Sequence, residues 1–163
     1  MLTVRRNSTT VECVELAEIK TFLRIDFTQF DSVLNTCIVA ARQWVENYTS
    51  TFWAKGEATV TISGITGYKH NTYWGGFVAI TDDNDTGATI TQDAADYAYV
   101  ALTTDAGSEY EITVSVGTET PPQDVRSAIM MVAAQMYTSQ TGEVTNTAFI
   151  KTMLMPYRKH LFL

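Results

Sequence analysis

Hydrophobic residues recur along this chain with two different periods, and the change from one to the other divides it into three parts. Phe30, Val33, Leu34, Cys37, Ile38, Ala41, Trp44, Val45 and Tyr48 repeat every three or four positions, while Gln29, Asp31, Asn35, Arg42, Gln43 and Glu46 mostly occupy the other side. This is the stripe of an amphipathic helix of about five turns. Ahead of it, residues 15–24 carry Leu16, Ile19, Phe22 and Leu23 on one face of a shorter helix. Thr28 and Asp31 have the spacing of a capping-box variant and predict where the long helix starts. The hydroxyl would accept from an early backbone N–H, and the carboxylate favours the positive helix end.

Beyond Ser50 the period falls to two. "EATVTIS" sets Val60 and Ile62 on one side and Thr59, Thr61 and Ser63 on the other, as in a half-buried strand. Gly64, Gly67, Gly75 and Gly76 punctuate the following run and leave a short strand near residues 77–81. "DDNDTG" has the composition of a turn. "YAYVALT" and "EYEITVSV", joined by "TDAGS", predict a hairpin across residues 97–116. The helical period then returns in "TPPQDVRSAIMMVAAQMYTSQTG". Pro121 and Pro122 stand at its entry, Gly142 lies beyond its exit, and Val125, Ile129, Val132, Ala133, Met136 and Tyr137 form its stripe. A short last helix over residues 147–155 carries Phe149, Ile150, Met153 and Leu154 before Pro156 stops it.

Each long stripe needs a partner to cover it, and the nearest candidate is the other stripe. The pattern predicts an α+β chain forming one domain over residues 1–163, a length that can bury a core unaided. Its body is a small α-helical bundle: two long antiparallel helices plus short N- and C-terminal helices, with a helical core over 15–50 and 121–156. An antiparallel β subdomain is inserted at about 57–118.

Charge narrows the partners. Acidic side chains number 18 against 11 basic, a net charge of −7, and no cluster of Lys and Arg is present to displace counterions from a nucleic acid. Cys13 and Cys37 are too few for a disulfide scaffold, and Cys37, inside the long stripe, reads as a buried thiol. Arg5 and Arg6 are not followed by an apolar run, so no secretory signal is expected, and no apolar stretch approaches a membrane span. The N-x-[ST] matches at Asn7, Asn47 and Asn84 then read as chance. A soluble chain, made in the cytosol, is the expectation.

Candidate chemistry is sparse. His70 and His160 have no partner nearby in sequence, and nucleophile-elbow, zinc-protease, phosphate-loop and paired C-x-x-C motifs are missing. Neither an enzyme nor a cofactor is expected. Asp82, Asn84, Thr86, Gly87 and Asp93 fall at positions one, three, five, six and twelve of a calcium loop. Position twelve is Asp where a bidentate Glu is usual, and β-like segments flank the loop, so a solvated acidic turn is the stronger reading. Tyr68, Tyr73, Trp74 and Phe77 could stack a sugar or base, although aromatics beside glycines in a β section more often form local core. A calcium- or carbohydrate-binding module built on the β section is therefore the alternative. Trp44 reads as core, and Trp53, at the helix exit, is left open. Lys151 and "PYRKH" give a basic concentration that suits a helix end.

The series "EIKTFLRID", "AARQWVENYT", an insertion, "PPQDVRSAIMMVAAQMY" and "MLMPYR" resembles the head-tail connector, or adaptor, proteins of long-tailed bacteriophages, in which such pieces recur in this order. The match covers about the first fifty residues and the last forty-five. The chain departs from the simplest members in the length and β content of residues 57–118 and in "HLFL" after the "PYR" motif. The resemblance implies a structural virion protein for head completion: a ring, dodecameric in the family, beneath the portal and around the DNA channel. It further implies two neighbours, the portal protein and a tail-side neck protein (a stopper or tail-completion protein). The location would be the virion's head-tail interface, after assembly in the host cytoplasm. DNA would pass without specific binding, which an acidic lumen favours, and Asp82, Asp83 and Asp85 are candidates to face it. In the family the C-terminal segment engages the portal, which here maps onto Pro156, Tyr157, Arg158, Lys159, Leu161, Phe162 and Leu163.

Overall fold

The computed structural model describes residues 2–62, 70–72, 75–82, 90–91, 100–102, 110–139 and 147–158. Among them the chain is mixed α and β, with four α-helices and two antiparallel sheets. It divides into two compact units. One takes Glu12–Thr49 and Glu119–Arg158 and holds the helices; the other takes Met1–Val11 and Ser50–Thr118 and holds the strands.

In the helical unit, α1 (Leu16–Leu23) starts where the Glu18 carboxylate accepts from the Glu15 backbone N–H at 2.9 Å. It ends at Arg24, whose φ of 58° is left-handed, while the Ile25 N–H closes onto the Lys20 carbonyl at 2.9 Å. That conformation suits glycine and costs a side-chain-bearing residue about 1 kcal/mol. Arg24→Gly should therefore raise the unfolding free energy by about 0.5–1 kcal/mol, read from the shift of the urea midpoint. A lower midpoint would show that the arginine side chain does more than cap the helix.

The long helix α2 spans Asp31–Thr49. The Asp31 N–H donates to the Thr28 carbonyl at 3.0 Å, and the Asp31 carboxylate takes the Lys20 ammonium at 2.7 Å. Leu34, Ile38, Ala41, Val45 and Thr49 are buried. Two residues assigned to the polar side are buried with them, since Arg42 and Glu46 are each only 3% exposed. Arg42 donates through Nη1 to Glu46 at 2.7 Å and through Nε to Glu12 at 2.9 Å. Mutual neutralisation and hydrogen bonding let these charges leave water, and the buried face is correspondingly turned toward them. At the opposite flank Phe30 and Val33 stay exposed, and Cys37, Trp44 and Tyr48 are half-buried.

Helix α3 (Gln123–Thr138) follows Pro121 and Pro122 and buries Val125, Ala128, Ile129, Val132 and Ala133. It packs against α2, and each fully buried Leu, Ile or Val in such a contact contributes about 1.5–3 kcal/mol. Phe30, just ahead of α2, meets Tyr137 near the end of α3 edge-on at 6.3 Å. Helix α4 (Thr147–Leu154) buries Ile150 and Leu154, and a single 3₁₀ turn, Met155–Tyr157, accommodates Pro156.

The strand unit contains β1 (Leu2–Val11), β2 (Lys55–Ile62), β3 (His70–Thr72), β4 (Phe77–Asp82), β5 (Ile90–Thr91), β6 (Val100–Leu102) and β7 (Tyr110–Val116). A four-stranded antiparallel sheet runs β1-β2-β7-β4, and a smaller one runs β3-β6-β5. The registers place Val60 between Val4 and Ile112, and Val114 between Ala58 and Ile80. Those rows, with Phe52, Phe77 and Val116, form the core of the sheet. Among the described residues, the two strands of the hairpin expected across residues 97–116 do not pair with each other: β6 pairs with β3 and β5, and β7 with β2 and β4. The buried alternation Ile112, Val114 and Val116 matches apolar rows on both sides, so both edges of β7 are occupied.

Strand β1 has no apolar alternation to announce it. Its Arg6 guanidinium lies 4.8 Å from the centre of the Phe52 ring and donates to the Ala54 carbonyl at 3.1 Å. Residues 51–54 are all buried beside glycine backbone. Gly76 and Gly117 take φ values of 84° and 80°, and the Gly117 N–H donates to the Gly76 carbonyl at 2.7 Å. A Cβ on Gly117 would stand 2.0 Å from the Ala54 carbonyl oxygen.

Candidate functional site

The C-terminal end of the helical unit gathers several residues anticipated as a docking segment. Tyr48, on the last turn of α2, stacks on Trp44 with ring centres 5.8 Å apart and planes 10° from parallel. The Arg158 guanidinium lies 5.2 Å from the Tyr48 ring centre and the Lys151 ammonium 6.0 Å from it. The Tyr48 hydroxyl donates to the Lys151 carbonyl at 3.3 Å, and the Tyr157 hydroxyl donates to the Asp124 carboxylate at 3.3 Å. An exposed cation over an aromatic face contributes about 0.5–1 kcal/mol, so two such contacts and two hydrogen bonds hold this end of the chain in place. Lys151 also complements the negative end of α4.

Fixing the backbone leaves the apolar side chains outward. Phe149 and Met155 are 55% and 58% exposed, and Pro156 and Arg158 are exposed as well. The result is an apolar surface set beside two cations in an acidic chain, chemistry that suits a protein partner offering apolar side chains and carboxylates. Of the residues assigned to docking, Tyr157 is half-buried, Pro156 and Arg158 face solvent, and Lys159, Leu161, Phe162 and Leu163 lie outside the described residues.

The remaining candidates are dispersed. Asp82 ends β4, exposed, in register with Thr113; Asp83, Asn84, Asp85, Thr86, Gly87 and Asp93 lie outside the described residues. Among the described residues no cluster of three His, Cys, Asp or Glu could hold a metal, and no helix is long and apolar enough to cross a membrane. Phe77 is buried edge-on against Phe52 at 5.8 Å, so it is core rather than stacking platform; Tyr68, Tyr73 and Trp74 lie outside the described residues. Trp53, at 1% exposed, is core. Cys13 is buried, whereas Cys37 is half-buried rather than fully so, and burial pushes its thiol up, away from thiolate chemistry. His70 lies in β3, and His160 is outside the described residues.

A second surface escaped the periodicity argument. Phe22 and Phe27 are each 50% exposed and Val33 is 49% exposed. Ala17, Glu18, Thr21 and Phe22 of α1 and Met130 of α3 line an open groove of about 420 Å³. The signal lay in the width of the apolar arc on α2, broader than one partner helix covers.

Comparison with known proteins bears out the resemblance drawn from the sequence. Residues 14–72 match the model of the phage gp6-like head-tail connector protein family. This span takes in α1, α2, β2 and β3. No curated protein matches the chain significantly. Among solved structures, the chain is similar to one from the neck of an empty GTA particle computed with C6 symmetry, at TM-score 0.78 and 18% identity, over 100% of this chain and 97% of that one. A chain from the neck of a native GTA particle computed with C12 symmetry gives TM-score 0.76 and 17% identity over the same shares. A chain from the virion of a native gene transfer agent (GTA) particle gives TM-score 0.75 and 18% identity, again over those shares. At such identities the likeness is one of fold. The family and the neighbours are connector and virion neck components, in keeping with a chain that is not an enzyme.

Proposed function

We propose that this chain is a structural component of a phage-like neck, a connector that joins head to tail by forming a ring beneath the portal and around the DNA channel. The observation that carries this reading is the pairing of a connector-family match over residues 14–72 with a fold shared over the whole chain with neck chains. Copies close into a ring with the twelvefold symmetry under which one neighbour's neck was computed. The tail-side neck protein then docks on the completed ring, so assembly order follows from geometry. A net charge of −7 favours a pore through which DNA slides without sticking. Asp82, Asp83 and Asp85 are assigned to its wall.

Portal docking is assigned to Pro156, Tyr157, Arg158, Lys159, Leu161, Phe162 and Leu163, beside the exposed Phe149 and Met155. Negative-stain imaging of the chain with and without its cognate portal tests the assignment. Rings seated on the portal are the expected result. Removing residues 159–163 should reduce the copies joined to capsids at least tenfold, the loss that follows from about 1.4 kcal/mol of contact energy at each docking site. Undiminished joining would overturn the docking assignment, and full-length chain that never associates with capsids would overturn the connector reading.

A further inference from the structure

Along one side of the helical unit, two rows of side chains run beside each other. Arg126, Met130 and Tyr137 fall on one face of α3 at spacings of four and seven. Each has a counterpart from the segment preceding or opening α2. Arg126 pairs with Glu18, Met130 shares a groove with Phe22, and Tyr137 meets Phe30 edge-on. Phe27 in turn packs edge-on against Phe30 at 5.6 Å, and Val33 follows one turn into α2. The rise along α3 from residue 126 to 137 makes this strip about 16 Å long.

The strip is apolar, aromatic-rich and open to solvent. Phe22, Phe27 and Val33 are about half exposed, and Phe30 is 38% exposed. Rigid aromatic side chains at a surface, with a methionine able to adapt beside them, have the composition of an interface centre. The charges nearest the strip balance in sign: Glu18 pairs with Arg126 and Lys20 with Asp31, and the exposed Arg24 and Asp26, between Phe22 and Phe27, add one of each. A surface whose charges are internally neutralised can meet another strongly acidic chain without bringing like charges together. In a chain carrying −7 overall, that is the condition self-association imposes; a basic partner would be met better by unpaired carboxylates.

We infer that the strip formed by Phe22, Phe27, Phe30, Val33, Met130 and Tyr137 is seated on a second copy of this chain and forms one half of the head-to-tail contact that closes the ring. The inference rests on the ring reading, in which every copy offers one surface to the copy before it and another to the copy after it. It adds the identity of one of the two surfaces. Portal docking then occupies the C-terminal end, and ring closure occupies the α1–α3 side.

Photocross-linking tests the assignment. Val33, about half exposed, is replaced by benzoylphenylalanine in chain assembled into particles, and adducts are identified by mass spectrometry. Adducts joining two copies of this chain are the expected result. Adducts with only a different virion protein, or no adducts from particles that do contain the chain, would overturn the inference and leave the connector reading standing. Particles that lack the chain even when it carries no substitution would overturn both. A second variant reads the energetics. Phe22→Ser with Phe27→Ser should keep the wild-type circular dichroism spectrum and melting temperature to within a few degrees, because both rings are half in water. It should lower incorporation at least tenfold. A folded double variant incorporated as well as wild type would equally sink the proposal.

Discussion

Glu46→Ala will lower the unfolding free energy by about 3–5 kcal/mol, the loss typical when one partner of a buried ion pair is removed. The reason lies with the partner left behind. Arg42 is only 3% exposed and donates to Glu46 and Glu12, so without Glu46 a guanidinium N–H faces the helical core with no acceptor there. Glu12, at 30% exposure, satisfies the other side only. In a chain of this size the expected fall in melting temperature is roughly 10 °C. Replacing both residues, Arg42→Met with Glu46→Leu, should recover most of the loss and leave stability within about 1 kcal/mol of wild type, because apolar side chains of similar volume avoid desolvating two charges. Chemical denaturation of the two variants checks the pair of outcomes. A single variant costing less than about 1 kcal/mol would mean that water reaches Arg42.

Gly117→Ala should cost about 3 kcal/mol, for two reasons that act together. Its φ of 80° is strained for any residue with a Cβ. The added methyl would also stand 2.0 Å from the Ala54 carbonyl oxygen, which cannot withdraw without disturbing the buried run of residues 51–54. The Gly117 N–H is further committed to the Gly76 carbonyl at 2.7 Å. Calorimetry should show a lower melting temperature with the sheet registers unchanged. A loss below about 1 kcal/mol would indicate that the strand ends relax around the methyl.

These two sites mark where the sequence was legible and where it was not. Periodicity located α1, α2, α3 and α4 to within a residue or two, because each buries a stripe that recurs every three or four positions. It also found β2 and β7, whose buried rows alternate, and β4, which buries Phe77 and half-buries Ile80 across a shifted register. It misassigned Arg42 and Glu46, since a charge inside an apolar arc looks polar until its partner is known, and the partner Glu12 lies 30 residues away. It missed β1, whose residues Arg5 to Thr10 are all polar and whose inward contacts come from Val4 and from Arg6 over Phe52. Gly117 raised no expectation, because its constraint comes from a backbone more than sixty residues distant. The exposed Phe22 and Val33 were placed on apolar helix faces for the same reason the helices were found, and Phe27, between the helices, raised no expectation: an apolar stripe states that something will cover it, without stating what.

Strand β1 implies an order of events during synthesis. Its register partners in β2 lie up to sixty residues downstream, from Leu2 against Ile62 to Val11 against Lys55. β2 in turn pairs with β7, whose residues follow another fifty later. At ribosomal speeds of about 5–20 residues per second, the first strand waits several seconds for its neighbour and the sheet several more for its centre. The local hydrogen bonds of α1 and α2 can form within microseconds. A nascent chain of this protein will therefore carry helices well before it has a sheet, with a polar leading strand that is safe to leave in water until its partner arrives.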